Sequence, residues 1–380
     1  MDELRRTKTY IHDIERCISF IENIDCLKNK SVFVTGCNGL ICSTVIDTLI
    51  LLNNRYDLGI TVYSASRNTE RTMAIFDTDA NKFIKIIGYD ACKPMSFGEH
   101  VDFYIHGASN ASPDLFVSQP VETMTANVFG LNEILSNATK TRGRVLYISS
   151  SEIYGQIATN RSIKEDELGY IDLGNPRSCY ASSKRAAETL CSAYKKEFGV
   201  DYVIVRPGHI YGPTFNEKDN RVSSNFIKKA ASGENLVLRS RGTQVRSYCY
   251  VFDCVIQLLN ILLNGDSGEA YNISNPKSLI TIADMAKILA SITGVQCFFE
   301  LRADEQDNPM QNSSLSSRKF EALMEKKTNT FIQNVWKDNG GGYLNKEEGF
   351  ARCVRILREC MHNADGTVQS GYRVCSDSRL

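Results

Sequence analysis

Tyr180-Ala181-Ser182-Ser183-Lys184 sets a phenol and an ammonium four residues apart, on one face of any helix that carries them. An ammonium beside a phenol favours the phenolate and draws its pKa down from ~10, which makes Tyr180 an acid/base for an alcohol or sugar hydroxyl. Upstream, Ser149-Ser150-Ser151-Glu152-Ile153-Tyr154-Gly155 follows the apolar run Val145–Ile148. Side chains at the carboxyl end of such a strand line a ligand crevice, so Ser150 is placed to hydrogen-bond the same reacting hydroxyl. The Tyr-x-x-x-Lys spacing recurs by chance. It gains weight from a third feature in the correct order, Thr35-Gly36-Cys37-Asn38-Gly39-Leu40-Ile41-Cys42, between a β-branched run and a helical stretch.

Gly36 and Gly39 allow a tight turn and close backbone approach to a pyrophosphate, and the following helix start supplies N–H donors. The expected cofactor contacts are Gly36, Asn38, Gly39, Leu40 and Ile41, together with Tyr180 and Lys184. The position of a third glycine is Cys42, which should push the helix slightly off the strand. No carboxylate ends the second strand; Ser64-Ala65-Ser66-Arg67-Asn68 stands there instead. Arg67 suits a 2′-phosphate, so NADP stands beside NAD as the expected cofactor. Asp90, after the third strand, is a candidate for the adenine amino group.

These residues need a frame. Ser31–Thr35, Ile60–Ala65, Phe83–Ile87, Val101–Ile105, Val145–Ile148 and Tyr202–Val205 are short apolar runs. Helical patterns at Leu40–Leu52, Val121–Thr139 and Tyr180–Phe198 separate several of them. That alternation predicts an α/β fold: a Rossmann-type doubly wound parallel sheet with a smaller mixed α/β substrate lobe. The expected organisation is a helical extension over 1–30, with isoleucines 11, 14, 18 and 21 at helical spacing, and a cofactor-binding domain over 31–207. A substrate lobe over 208–335 follows, with segments returning to the first domain, then a helix and polar tail over 336–380. Within the lobe, helices are expected at Ser223–Ala231 and Ile282–Ile292, a strand at Leu236–Leu238, and a final helix near Glu347–Cys360.

Composition narrows the class. The 380 residues carry 44 basic and 44 acidic side chains, so the formal charge is zero, which argues against nucleic acid or an anionic membrane as partner. No apolar run approaches a membrane span, and the charged start Met1–Lys8 leads into no secretory core. The 13 cysteines are scattered without a Cys-x-x-Cys pair and do not cluster with the 5 histidines. Free thiols in a reducing cytoplasm and no metal site are expected. Cys37 and Cys179 read as buried, inert thiols, and His106 as packing beside the cofactor crevice.

The chain resembles the extended short-chain dehydrogenases/reductases of the nucleotide-sugar epimerase/dehydratase group, from about Ser31 to Tyr271. The markers are the Thr35–Cys42 turn, Ser149–Gly155, Tyr180/Lys184, Arg206-Pro207-Gly208-His209-Ile210-Tyr211-Gly212-Pro213, and Arg246 through Asp253. Within that group it looks like the UDP-glucuronate decarboxylases. Ala108-Ser109-Asn110-Ala111-Ser112-Pro113, Asn175-Pro176-Arg177-Ser178-Cys179-Tyr180, Arg221-Val222-Ser223-Ser224-Asn225-Phe226-Ile227 and Gly242-Thr243-Gln244-Val245-Arg246 are similar to their motifs. The resemblance implies catalytic roles for Ser150, Ser151, Glu152, Tyr180, Lys184 and Arg246. It implies substrate contacts from Ser109, Ser112, His209, Arg221, Asn225 and Arg246, and a homodimer joined by a helix bundle that includes the tyrosine helix. Tyr180 would take the C4 hydroxyl proton while hydride passes to NAD. The resulting β-keto acid loses carbon dioxide, and Arg246 would pair with the carboxylate.

Other reactions stay open. GDP-mannose-type 4,6-dehydratases share Ser-Glu at 151–152, whereas glucose-type dehydratases carry Asp-Glu, and a C4-epimerase would leave Glu152 without a role. Outside the sugar enzymes, an NADPH-dependent carbonyl reductase draws support from Arg67. A silent cofactor-binding regulator is disfavoured by the intact Ser150, Tyr180 and Lys184. The chain departs from the group at His209, where asparagine is usual, at Gln311-Asn312-Ser313-Ser314, where Arg-x-Pro-Asp is usual, and over 328–342.

Overall fold

The computed structural model describes residues 3–215, 219–301, 312–327 and 343–365. Helix α1 (Lys8–Ser19) begins where the Thr7 side chain accepts a hydrogen bond from the Tyr10 amide. Ile14, Ile18 and the following Ile21 are buried, while Ile11 stays exposed, so three of the four spaced isoleucines form the packed face. The helix lies against α2, α8 and the last helix described below.

The alternation then runs β1 (Ser31–Thr35), α2 (Leu40–Tyr56), β2 (Thr61–Ser66), α3 (Thr69–Phe76), β3 (Ile84–Gly88) and β4 (Phe103–His106). It continues through α4 (Pro113–Ser118), α5 (Pro120–Thr141), β5 (Arg144–Ile148), α6 (Cys179–Phe198) and β6 (Tyr202–Pro207). Past β7 (His209–Tyr211) come α7 (Val222–Ala231), β8 (Leu236–Leu238), β9 (Val245–Tyr250), α8 (Val251–Asn264) and β10 (Ala270–Ile273). The rest is β11 (Leu279–Thr281), α9 (Ile282–Thr293), β12 (Cys297–Phe299), α10 (Arg318–Lys327) and α11 (Lys346–Asp365).

Among the described residues, seven parallel strands form the central sheet in the order β10-β6-β5-β4-β1-β2-β3. This is the expected doubly wound fold, and the order reverses between β1 and β4, where ligands of open α/β sheets bind. Every residue of β1 and β6 is buried. That is why both read as continuous apolar runs rather than alternating ones. Each Val or Ile so buried contributes roughly 1.5–3 kcal/mol.

The strand β10 returns from residues beyond 207 to the edge of the central sheet, beside β6. Residues 251–264 lie where the sequence pattern looks irregular, yet they form α8. It is buried on nearly all sides, and its polar residues Asp253, Gln257, Asn260 and Asn264 recur at helical spacing along one stripe. The remaining strands make two small sheets, β11-β9-β7 and β12-β8. The expected rearrangement over 328–342 and the polar tail beyond residue 365 lie outside the described residues.

Cys42, at the position of the third glycine, packs against the residue that follows β4. Its buried side chain is accommodated by Gly107, just after β4, where an added Cβ would collide with the Cys42 Sγ. The missing third glycine is thus compensated by a glycine on the neighbouring strand end. Gly107→Ala should therefore lower the urea midpoint by the equivalent of about 1–3 kcal/mol. Adding Cys42→Ala should recover part of the loss, and a double-mutant cycle with coupling below about 0.5 kcal/mol would refute this packing account.

Candidate active site

The glycine turn closes tightly. Gly36 has φ +68°, and a Cβ there would lie 2.8 Å from the Gly107 carbonyl carbon and oxygen. Thr35 Oγ1 accepts from the amides of Gly107 and Ala108 at 3.1 Å and contacts His106 Nδ1 at 2.9 Å. His106 is therefore a buried packing residue whose pKa burial and Lys184 push down to about 3. Gly39 is the N-cap of α2, and no side chain caps it. The amides of Leu40, Ile41 and Cys42 therefore have no cap from Gly39's side chain and no intrahelical acceptor. Asn38 donates to Ser66 Oγ at 3.3 Å and to the Asn68 carbonyl at 3.1 Å, tying the turn to the end of β2.

Arg67 is exposed and paired with Glu122 at 2.9 Å, and Asn110 also reaches Glu122. The pair is solvent-exposed and holds the guanidinium only weakly. Asp90 accepts from the Cys92 amide at 3.0 Å and faces Lys93 at 3.5 Å. Cys37 and Cys179 are buried free thiols, both pushed up by burial.

Helix α6 brings the catalytic candidates together. Lys184 Nζ is buried and donates to the Ile148 carbonyl at 2.7 Å, at the end of β5. It lies 4.7 Å from the Tyr147 ring centre and 5.7 Å from that of Tyr180. Burial lowers its pKa from 10.5 to about 7. One turn earlier, Tyr180 is buried and hydrogen-bonded with Ser150. The sequence expectation that Lys184 lowers the Tyr180 pKa is corrected here. Burial raises the phenol to about 12, opposed by the Ser150 hydrogen bond and by Arg221, while Glu152 adds to the rise. The ammonium is directed to a backbone carbonyl instead.

Ser150 caps a short 3-10 turn, Ser151–Tyr154, by accepting from the Glu152 amide at 3.2 Å. Arg185, next to Lys184, clamps that turn by donating to the carbonyls of Ile153 at 2.6 Å and Gly169 at 2.8 Å. Arg206 pairs in bidentate fashion with Glu188 of α6 at 3.0 and 2.7 Å and also reaches the Tyr154 hydroxyl. Motif reading missed both arginines as site supports; their signal is only adjacency to Lys184 and the start of the Arg206–Pro213 stretch.

From the smaller lobe, Arg246 on β9 is half-buried and within electrostatic reach of Glu152. Its Nη1 donates to its own carbonyl neighbour, Val245, at 3.1 Å, and among the described residues it forms no ion pair with a carboxylate. Burial pushes it below its ordinary value, against Tyr248 and Glu152. His209 packs edge-on to Tyr248 at 5.7 Å; burial, then Arg246 and Arg221, hold its pKa down to about 3, so the imidazole is neutral. Ser313 lies beside Arg246's strand, its amide donating to the Val245 carbonyl at 3.2 Å.

Arg221 is engaged by Asp219, with Nε 2.9 Å from Oδ1 and Nη2 2.5 Å from Oδ2. Asn225, one turn along α7, is exposed. Ser109 contacts the Asn110 carbonyl at 3.4 Å, and Ser112 is the N-cap of α4 without using its hydroxyl. Thus Ser150, Glu152, Tyr180, Lys184, Arg246 and His209 converge. Arg67 turns to Glu122 and Asp90 to the adjacent loop.

A parallel sheet with an uncapped helix after β1 and a Tyr–Lys helix across β5 defines a Rossmann-type α/β protein. Residues 32–274 match the model of the NAD dependent epimerase/dehydratase family, and the chain belongs to that family. It is 30% identical over 283 residues to UDP-glucuronic acid decarboxylase 1 of Danio rerio, covering 74% of this chain and 65% of the relative's length. The match to UDP-glucuronic acid decarboxylase 6 of Arabidopsis thaliana is 32% over 296 residues, covering 78% and 83%. Among solved structures, UDP-glucuronic acid 4-epimerase from Bacillus cereus shares the fold with a TM-score of 0.68 at 20% identity, covering 86% of this chain and 98% of that one.

The depressed Lys184 pKa has a stability consequence. Between about pH 7 and 10.5 the unfolded lysine holds a proton that the folded one has lost, so its burial cost falls as pH rises. Lys184→Met should therefore stabilise the fold more at pH 6 than at pH 9, by a difference above about 1 kcal/mol. Urea melts at the two values check this; an equal effect at both would contradict it.

Proposed function

We propose that the protein is a nucleotide-sugar enzyme of the decarboxylase type, acting on UDP-glucuronate through transient oxidation at C4 with NAD bound. The observation that carries this reading is Arg246, a half-buried guanidinium near Glu152 with no carboxylate ion pair among the described residues. Either the diphosphate of a nucleotide sugar or a carboxylate on the sugar itself could compensate that cation. A hexuronate carboxylate answers it with a bidentate pair.

The residues present fit the cofactor. The uncapped start of α2, with Gly36, Asn38, Gly39, Leu40 and Ile41, would hold its diphosphate, and Asp90, Tyr180 and Lys184 would take its other polar groups. NAD, when bound, supplies the acceptor and later the donor of hydride at C4.

The chain's own groups do the rest. Tyr180, its phenolate favoured by the positive charge of the nicotinamide ring of bound NAD, would take the C4 hydroxyl proton, while Ser150, bonded to that phenol, would steady the same hydroxyl. Arg246 orients the C5 carboxylate so that, once C4 is a ketone, carbon dioxide departs from a β-keto acid. Ser151 and Glu152 attend the carboxylate and the reprotonation at C5. Neutral His209 offers a hydrogen bond rather than a charge, and Ser109, Ser112, Arg221 and Asn225 line the nucleotide side.

The resemblance further supports a homodimer through α5 and α6, with the exposed Val121 and Met124 on α5 available to it. Cys360 is disulfide-bonded, contrary to the expectation of free thiols throughout. Among the described residues no helix is long and apolar enough to cross a membrane.

Incubation with UDP-glucuronate and NAD, followed by mass spectrometry, should show loss of one carbon dioxide. Tyr180→Phe should slow this by at least about 100-fold, and Arg246→Ala should raise KM for the acidic substrate. Unchanged UDP-glucuronate would overturn the decarboxylase reading. Loss of water from a neutral sugar nucleotide would establish a 4,6-dehydratase, and altered chromatography at constant mass an epimerase.

A further inference from the structure

Three residues form a small apolar cluster separate from the main cores: Phe116, Cys179 and Tyr180. The Phe116 ring lies parallel to that of Tyr180, with centres 4.3 Å apart and planes 13° apart. Such an offset stack contributes about 0.5–1.5 kcal/mol beyond its buried area. It also covers one face of the phenol. Phe116 belongs to α4, after the Ala108–Pro113 stretch, and is buried.

The stack is anchored at several points. Cys179 Sγ lies 3.5 Å from the Phe116 carbonyl. The Arg177 guanidinium carbon sits 5.7 Å from the Phe116 ring centre, and Arg177 Nη1 faces Glu152 Oε2 at 3.9 Å. Asn220 donates to Asp114 of α4, which joins that helix to the Asp219–Arg221 segment of the smaller lobe. One ring therefore stands between the acid/base candidate, the carboxylate Glu152 and the substrate lobe.

We propose that Phe116 is a positioning residue for Tyr180: its ring fixes the plane of the phenol and keeps water off one face, while Arg177 ties the stack to Glu152. This rests on the reading of Tyr180 as the proton-transferring group. A flat ring is needed, because a branched aliphatic side chain neither covers the face of the phenol nor sets its orientation. Burial is the largest contributor to the raised Tyr180 pKa, and Phe116 supplies one face of that burial. Opening that face hydrates the phenolate and favours it.

The test separates this proposal from the assigned reaction by reading the phenol directly. In protein labelled with 13C at tyrosine Cζ, the Tyr180 resonance is identified by its loss in Tyr180→Phe and followed against pH. Phe116→Ala should lower its midpoint by about one pH unit or more, and Phe116→Trp should keep it near the wild-type value. Phe116→Leu, the variant to use should Phe116→Ala fail to fold, should also fall below wild type. An unchanged midpoint in the alanine or leucine variant would overturn the proposal, as would a tryptophan variant that titrates like alanine. If the enzyme turns over UDP-glucuronate, the acid limb of its kcat/KM profile should move to lower pH in Phe116→Leu by the same amount. Absence of turnover would count against the assigned reaction and leave the titration to decide the role of Phe116.

Discussion

The hydrogen bond from Lys184 Nζ to the Ile148 carbonyl fixes the site. Ile148 is the last residue of a central strand, where the ladder ends. A buried ammonium there costs several kcal/mol unless its donors are used, and the carbonyl and the Tyr147 ring use them. The bond ties α6 to the end of β5. Helical geometry then places Tyr180 one turn back along the same face, over the Ser150 that follows the strand. Arg185, the next residue, grips the carbonyls of the turn that carries Glu152. Two adjacent cations on one helix thus hold the strand end and the turn beyond it in a single arrangement.

The smaller lobe is held by a second set of buried charges. Asp13 of α1 accepts from the Tyr250 hydroxyl at 2.9 Å and pairs with Arg352 of α11 at 2.5 Å. Arg16, one turn on, pairs with Asp253 of α8 at 2.9 Å, and Asp253 accepts the Leu344 amide. Tyr250 ends the strand that carries Arg246. The N-terminal helix is therefore part of the foundation of β9, not an appendage on the flank. Removing either member of such a pair leaves a buried charge uncompensated.

Much of this was legible in the residues, for physical reasons. Parallel strands buried on both faces write themselves as apolar runs, and Gly36, Tyr180 and Lys184 carry backbone or spacing requirements that a sequence displays. The helix α8 was missed although its signal is present, in the helical spacing of Asp253, Gln257, Asn260 and Asn264 within an apolar run. The immediate partner of Lys184 was not legible. Spacing shows that it shares a face with Tyr180, but not which oxygen its ammonium reaches. Phe116, Arg177 and Arg185 were missed as a group. Their importance lies in contacts between segments distant in sequence, and no spacing rule records those. The compensation of Cys42 by Gly107 is of the same kind.

Arg221 and Arg246 show why the acidic-substrate reading follows from charge balance rather than from the presence of arginine. Both lie near His209, and their fields help keep that imidazole neutral. Arg221 has its counter-charge in Asp219, two residues away, and can offer a ligand only what that pair spares. Arg246 has no such pair among the described residues, and the nearby Glu152 is shared with Arg177. A ligand carboxylate at Arg246 would relieve a burial cost already present in the folded protein. At Arg221 it would first have to compete with Asp219. The two arginines therefore differ in how far a carboxylate of the chain already engages each guanidinium.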